Sequence, residues 1–511
     1  MKIVAIAIII IYAVALLFIF SYSIVQLNLV FLYLRKKIRE KRKPKSIAAD
    51  ITEFPLVTIQ LPIYNELYVA ERLLDAVSQI DYPKDKLEIQ VLDDSDDETV
   101  ETIRKKTDEL SAAGLNIVHV RRDSRVGYKA GALAYGLEIA KGDFIAIFDS
   151  DFLPEKYFLK KTIPQFADSR VGAVQTRWTH LNKDYSMLTR LQAFGLDAHF
   201  SIEQTGRNTG GHFINFNGTA GIWRKRCITD AGGWQSDTLT EDLDLSYRAQ
   251  LKKWKFVYME DVNSPAELPV TMSALKNQQF RWNKGAAECA KKNLISVLVQ
   301  KDLKFGTKIH AIFHLMNSSV FIAIMITALL SIPMLLVKNE FEQFEVIFYY
   351  ASFFLLSFLV LSVFYYTALA QHDKSFPKNF YHFLQKFPLF LSISMGLALH
   401  NAVAVLEGYA GKKSSFIRTP KFNLKAGGET WKSNKYLQNS INAMTIVEGI
   451  LAIYFAWGMY LAFRVDDFGL FPFHLLLAFG FGFVCFYSVV HSGPSAGKGK
   501  KIEFPAEAQA G

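Results

Sequence analysis

Apolar positions along the chain fall into two textures. Residues 3–34, 309–337, 346–369, 441–463 and 470–491 form runs that are each long enough to cross a bilayer. From about residue 50 to 300 they come in short runs or alternate with charge, as in a water-facing domain. The pattern predicts a membrane protein with a folded domain held between its spans. The expected divisions are an anchor over 1–34, a basic linker over 35–54, the domain over 55–283 and an amphipathic interfacial helix over 284–308. Two spans follow within 309–369, then a surface helix and loop within 370–440, two spans within 441–491 and a tail over 492–511.

Inside the domain, Leu56–Leu61 reads as a first strand with a β-branched bias. A dinucleotide-binding fold places a glycine-rich turn next. Here Pro62-Ile-Tyr-Asn-Glu66 and an amphipathic helix to about Gln79 follow, which argues against NAD or FAD. A second strand, Leu87–Leu92, runs into Asp93-Asp-Ser-Asp-Asp-Glu98, and a third, Leu115–Val120, precedes Arg121 and Arg122. A helix of small residues opens at Lys129 and ends near Gly136. The apolar run Phe144–Phe148 then leads straight into Asp149 and Asp151. Strands alternating with helices through residue 176 predict an α/β fold with a doubly wound parallel sheet. Ligands of such sheets sit beyond the carboxyl ends of the strands.

Several polar groups are placed to act there. Asp149 and Asp151 can hold a hard cation such as Mg2+ or Mn2+; a lone Asp-x-Asp equally fits a polar strand end before a turn. Capping accounts for one or two carboxylates of the 93–98 turn, which leaves some of the five free for another task, such as contacting the base and ribose of a nucleotide. Lys129 either reaches a diphosphate or lies exposed. The small-residue turn at Asn217, Gly218 and Thr219 allows close approach of a ligand or simply ends the preceding helical segment, 184–204. Thr240-Glu241-Asp242 opens a helix to Lys252, either as cap chemistry or as a base facing the cleft. Gln278, Arg281 and Trp282 suit a phosphate grip and an aromatic platform for a sugar, or an aromatic anchor at the membrane surface.

Composition narrows the reading. The net charge of +10 is concentrated in part beside spans, as in Arg35–Lys43. That cluster is expected to meet anionic lipid, so nucleic acid is not implied. Residues 3–34 are too long for a signal-peptide core, and the basic flank puts the end of this retained anchor in the cytosol. The cysteines, Cys227, Cys289 and Cys485, have neither CxxC nor metal-ligand spacing, as expected in a reduced compartment. His310, His314 and His400 read as buried or span-end polar residues.

The ordered set Asp93-Asp94, Lys129-Ala-Gly131, Asp149-Ser-Asp151, Thr240-Glu-Asp242 and Gln278-Gln-Phe-Arg-Trp282 resembles the processive inverting family 2 glycosyltransferases, the cellulose synthase-like group. Within that group Phe216–Trp223, Ala231–Trp234 and Glu267–Pro269 look most like the plant-type mannan and glucomannan synthases; glucan synthases share nearly the same motifs. The resemblance implies a GT-A nucleotide-sugar domain inserted between transmembrane helices. It implies GDP-mannose or UDP-glucose as donor, with a growing β-1,4-linked polysaccharide as acceptor and cargo. Asp94 would contact base and ribose with Asp93 nearby, and Lys129 the diphosphate. Asp149 and Asp151 would hold the metal. Asp242, paired with Glu241, would deprotonate the acceptor. Gln278, Arg281 and Trp282, with Asn217, Gly218 and Thr219, would bind the chain end and the leaving diphosphate. Ser415–Lys421 resembles the family's gating loop: Phe416, Thr419 and Lys421 match, while Arg418 stands where the pattern has valine. A basic membrane-surface loop fits the same residues.

The positive-inside rule completes the expectation. Residues 35–308 lie in the cytosol, and the loops at 339–345 and 464–469 lie outside. The run 387–405 is interfacial or re-entrant, because crossing would expose the basic stretch 412–435 outside. The membrane would be the bacterial inner membrane or a eukaryotic Golgi membrane. Two rivals remain: a non-processive enzyme that glycosylates a lipid, and a channel or nucleotide-sensing scaffold with an inactive domain.

Overall fold

The structure, a computed structural model, describes residues 2–42, 53–344, 352–371, 375–414, 418–423, 431, 434–437 and 441–492. Its centre is one seven-stranded sheet in the order β3-β2-β1-β4-β6-β5-β7. The strands are β1 Val57–Ile63, β2 Leu87–Asp93, β3 Ile117–Val120, β4 Phe144–Ile147, β5 Val171–His180, β6 Gly221–Arg224 and β7 Lys255–Ala266. The first four pair in parallel, as their alternation with helices predicts. β6, beyond the alternating stretch that ends near residue 176, adds an antiparallel member, because it enters between β4 and β5 in the opposite sense. The chain arrives at the carboxyl end of β4 and turns through left-handed Gly218 and Ala220. It then drops back with Gly221 opposite Ile147. Such a reversal leaves no trace in hydrophobic periodicity.

β4 is buried along its whole length, as a continuous apolar run in a covered sheet must be. Leu73, Leu74 and Ile103 cover one face of the sheet, and Ala130 and Leu133 the other. The Tyr128–Ile139 helix lies so close that a Cβ on Gly136 would stand 2.6 Å from Gln60 Nε2. The expected 184–204 helix is Met187–Ala198 continued by a π-turn, His199–Glu203, into Gln204–Gly210.

Among the described residues, four helices are long and apolar enough to cross a membrane: Lys2–Arg42, Asn317–Glu340, Ala443–Arg464 and Phe471–Val490. The protein is therefore a membrane protein. Phe376–Gly396 and Ala398–Ala410 meet at a 48° bend and make a fifth span only if the pair crosses as one; the run 387–405 lies across this bend. Of 346–369, the described part is helical over Leu356–Leu369.

Ion pairs bind the domain to these helices. Lys37, at the end of the first helix, lies 3.0 Å from Glu260 of β7. One long helix, Met272–Val299, leaves the domain and packs along Ala398–Ala410. On it Lys276 donates to Glu448 at 2.6 Å, a buried pair, and to Ser488 at 2.9 Å. Such a pair fixes register, since removing either partner leaves a buried charge uncompensated.

Candidate active site

A pocket opens beyond the carboxyl ends of β1, β2 and β4, where open α/β sheets bind ligands. Asp94, Lys129, Asp149, Asp151, Asn217, Gly218, Glu241, Asp242, Gln278, Arg281, Trp282, Thr419 and Lys421 all line it. Residues up to 327 positions apart in sequence (Asp94 to Lys421) thus converge, although only the order of their motifs was visible in the chain.

Two lysines hold the two aspartates of the strand end. Lys129 donates to Asp149 Oδ1 at 2.5 Å and to the Gly218 carbonyl at 2.9 Å. Burial disfavours its charge, but Asp149, Glu241 and Asp242 outweigh that and raise its pKa. Lys421 donates to Asp151 Oδ2 at 2.7 Å, and Asp151 also accepts the Glu267 backbone N–H at 3.3 Å. Thr219 does not line the pocket; it is buried and its hydroxyl accepts the Asp149 N–H at 2.8 Å, which fixes the strand end.

The Glu241–Leu251 helix begins at the pocket wall. Thr240 makes no side-chain cap there and its hydroxyl instead meets Cys289 Sγ at 3.4 Å. Glu241 and Asp242 point into the cavity. Burial, then the neighbouring Glu241, pushes the Asp242 carboxyl up to about 7, with Lys129 opposing. Burial raises Glu241 as well. Gly218 makes room for this carboxyl: its φ is +80°, and a Cβ would stand 3.2 Å from Asp242 Oδ2. Arg281 lies in the field of Asp149, Glu241, Asp242 and Asp151. Asn217 lines the pocket with its Nδ2 buried and unpartnered.

Asp93 is placed differently from Asp94. Its carboxylate is buried off the pocket, bonded to His119 Nε2 at 2.8 Å and to the Ser95 N–H at 2.9 Å. Asp94 lines the pocket and takes a two-pronged contact from Arg122 at 2.7 and 2.5 Å. Phe416 lies outside the described residues.

Other residues were missed in the sequence. Glu66 pairs with Arg418 at 2.8 Å, and burial raises its pKa to about 7. Arg418, which breaks the gating-loop pattern, also stacks on Tyr436 at 3.9 Å. Arg125 covers the Tyr64 ring at 3.3 Å. Glu267 accepts the backbone N–H groups of Phe422 and Asn423 at 3.0 and 3.1 Å and pairs with Arg72 at 2.8 Å. It therefore clamps the 418–423 segment over the site. Arg418, as a departure from a motif, and Glu267, within a stretch that carries the resemblance, gave some signal.

Seven carboxylates face five lysine and arginine side chains around the pocket. An incoming diphosphate adds further negative charge, so the site calls for an added cation. Among the described residues no three or more His, Cys, Asp or Glu side chains form a cage. Asp149 and Asp151 still suit a hard cation that takes its other ligands from phosphate and water, as Mg2+ does.

Fold and site define a membrane-bound enzyme that transfers a sugar from a nucleotide. Residues 55–285 match the family described as Glycosyltransferase like family 2. Glucomannan 4-beta-mannosyltransferase 1 of Oryza sativa subsp. japonica is 34% identical over 450 residues, 84% of this chain and 83% of the relative. Glucomannan 4-beta-mannosyltransferase 2 of Arabidopsis thaliana is 40% identical over 267 residues, 51% of this chain and 50% of the relative. The chain belongs to the family 2 glycosyltransferases. Its fold is shared by the mannosyltransferase PcManGT from Pyrobaculum calidifontis, solved in complex with GDP-Man and Mn2+ (TM-score 0.53, 19% identity, covering 80% of this chain and all of that one).

Proposed function

We propose that the protein is a processive mannan or glucomannan synthase that takes mannose from GDP-mannose and passes the growing β-1,4-linked chain across its membrane. The observation that carries this is the convergence of Lys129–Asp149, Lys421–Asp151, Glu241–Asp242 and Arg281 on one pocket. The kinship with glucomannan mannosyltransferases supports the choice of donor.

In this reading the base and ribose lie over β1 and β2 beside Tyr64, Asp94 and Arg125. Asp149 and Asp151 hold Mg2+ or Mn2+, which when bound supplies Lewis-acid neutralisation of the diphosphate. Lys129, Lys421 and Arg281 add donors to the same charge. Asp242 takes the proton from the acceptor hydroxyl as it attacks the anomeric carbon, with one displacement and inversion. No acid is needed for the leaving group, because a nucleoside diphosphate leaves as an anion. Trp282 and Gln278 hold the chain end. Thr419 and Lys421 close the cleft from the gating loop, with Glu267 as its anchor.

The topology follows the same reading. Residues 35–308 are cytosolic, and the loops after Asn317–Glu340 and Ala443–Arg464 are outside. The 2.5 Å pair of Lys338 with Asp467 puts these two loops at one end of the bundle, in support. The 284–308 segment is interfacial, as the exposure of Ile295, Val299 and Phe305 favours.

The test uses membrane vesicles holding the full chain, with Mn2+ or Mg2+ and labelled GDP-mannose and UDP-glucose, separately and together. Polymer from GDP-mannose is expected. Polymer from UDP-glucose alone would make it a glucan synthase, and short lipid-extractable product alone would overturn processivity.

A further inference from the structure

β5 carries two side chains into the pocket that no motif announced. Across Thr176 and Arg177 its register with β7 jumps: Thr176 pairs with Met259 but Arg177 with Asn263. A bulge of this kind re-aims the strand beyond it. Trp178 and His180, two apart and so on one face, then line the pocket. The Trp178 ring is packed between Phe152 at 5.1 Å and Phe200 at 4.9 Å, while its Nε1–H is buried without a hydrogen-bond partner. The His180 side chain is 4% exposed. Its Nε2 lies 3.4 Å from Asp197 Oδ1 but makes no hydrogen bond. Buried polar atoms are rarely left unmet, and the Trp178 Nε1–H, beside a histidine only loosely paired to Asp197, marks a place for a ligand with hydroxyl groups.

The strand order says which part of the ligand. With the nucleotide over β1 and β2 and the diphosphate at β4, a donor laid across the sheet points its sugar away from β1, toward β6 and β5. Whatever receives the sugar lies beyond it, between β5 and the helix bearing Trp282. We infer that Trp178 and His180 form the second wall of the acceptor subsite, opposite Trp282. There they bind hydroxyls of the terminal hexopyranose of the growing chain. The inference rests on the polymer-extending reading and adds what holds the acceptor for Asp242.

The test measures binding of β-1,4-mannohexaose and cellohexaose to the detergent-solubilised full chain. Trp178→Phe keeps the ring and removes the N–H; His180→Ala removes the imidazole, and His180→Gln restores a donor and acceptor. Each removal should raise the hexasaccharide Kd about five- to tenfold, with His180→Gln recovering part of the loss and GDP affinity unchanged within about twofold. Weaker GDP binding with unchanged hexasaccharide affinity would place the pair on the donor side and overturn the inference. So would variants that change neither affinity, or a wild type that binds neither hexasaccharide. The synthase reading is judged separately, by polymer made from GDP-mannose by the wild type.

Discussion

Replacing Asp242 by Asn separates catalysis from stability, because the two should move in opposite directions. Asn keeps the shape beside Gly218 and Lys129 but cannot take a proton. A positioned base contributes roughly 10²–10⁴-fold, so kcat should fall by about that factor while the GDP affinity stays. The same carboxyl costs the fold something. Burial and Glu241 lift its pKa from 3.8 to about 7, and Lys129 offsets only part of this. The native state therefore holds its proton more tightly than the unfolded chain does. Stability is untouched below about pH 4, is lost as pH rises toward 7, and reaches its full loss above it. The lift corresponds to roughly 4 kcal/mol as an upper figure. Asp242→Asn should thus raise the ligand-free melting temperature at pH 8, with little change at pH 4. In the wild type, kcat/KM should fall about tenfold per pH unit below 7. The assays are GDP release at saturating donor, GDP binding, and thermal melts at both pH values. Turnover above a few per cent of wild type would refute the base assignment. A lower melting temperature at pH 8 would refute the electrostatic account.

Chelation should abolish turnover and Mn2+ or Mg2+ should restore it; Asp151→Asn should raise the metal concentration for half-activity at least about tenfold, measured by titration. Gly218→Ala places a Cβ at φ +80° and 3.2 Å from Asp242, so kcat should drop about tenfold with a loss of roughly 1–2 kcal/mol in stability, read by kinetics and by melting. Glu267→Gln weakens the anchor of residues 418–423. It should speed proteolysis of that segment and raise the donor KM several-fold, with the melting temperature of the rest little changed; equal protection in both proteins would count against the clamp.

The strands β1 to β4 were legible because a covered parallel sheet writes itself as short apolar runs, and Asp149 and Asp151 because they interrupt such a run at its end. β7 was not read. It is an edge strand whose burial alternates, and Glu260, Asp261 and Pro265 break its apolar pattern; an edge tolerates proline where a central strand does not. The π-turn at His199–Glu203 was hidden too, since one extra residue in a helical turn barely disturbs periodicity. Thr240 looked like a helix cap, and only the structure shows its hydroxyl turned to Cys289.

The contacts that sequence could not reveal share one physical property: each joins residues far apart along the chain. Glu66 needs Arg418, Asp151 needs Lys421, and Glu267 needs the backbone of Phe422 and Asn423. Local patterns report neighbours three or four residues away on a helix, or two on a strand; they carry no information about a pair more than a hundred positions apart. These three contacts all join the sheet to the one segment that follows the bent helix pair. The second helix of that pair, Ala398–Ala410, packs on the Met272–Val299 helix, where Lys276 is fixed to Glu448, so the segment that holds Asp151 and the domain's exit helix rest on the same support.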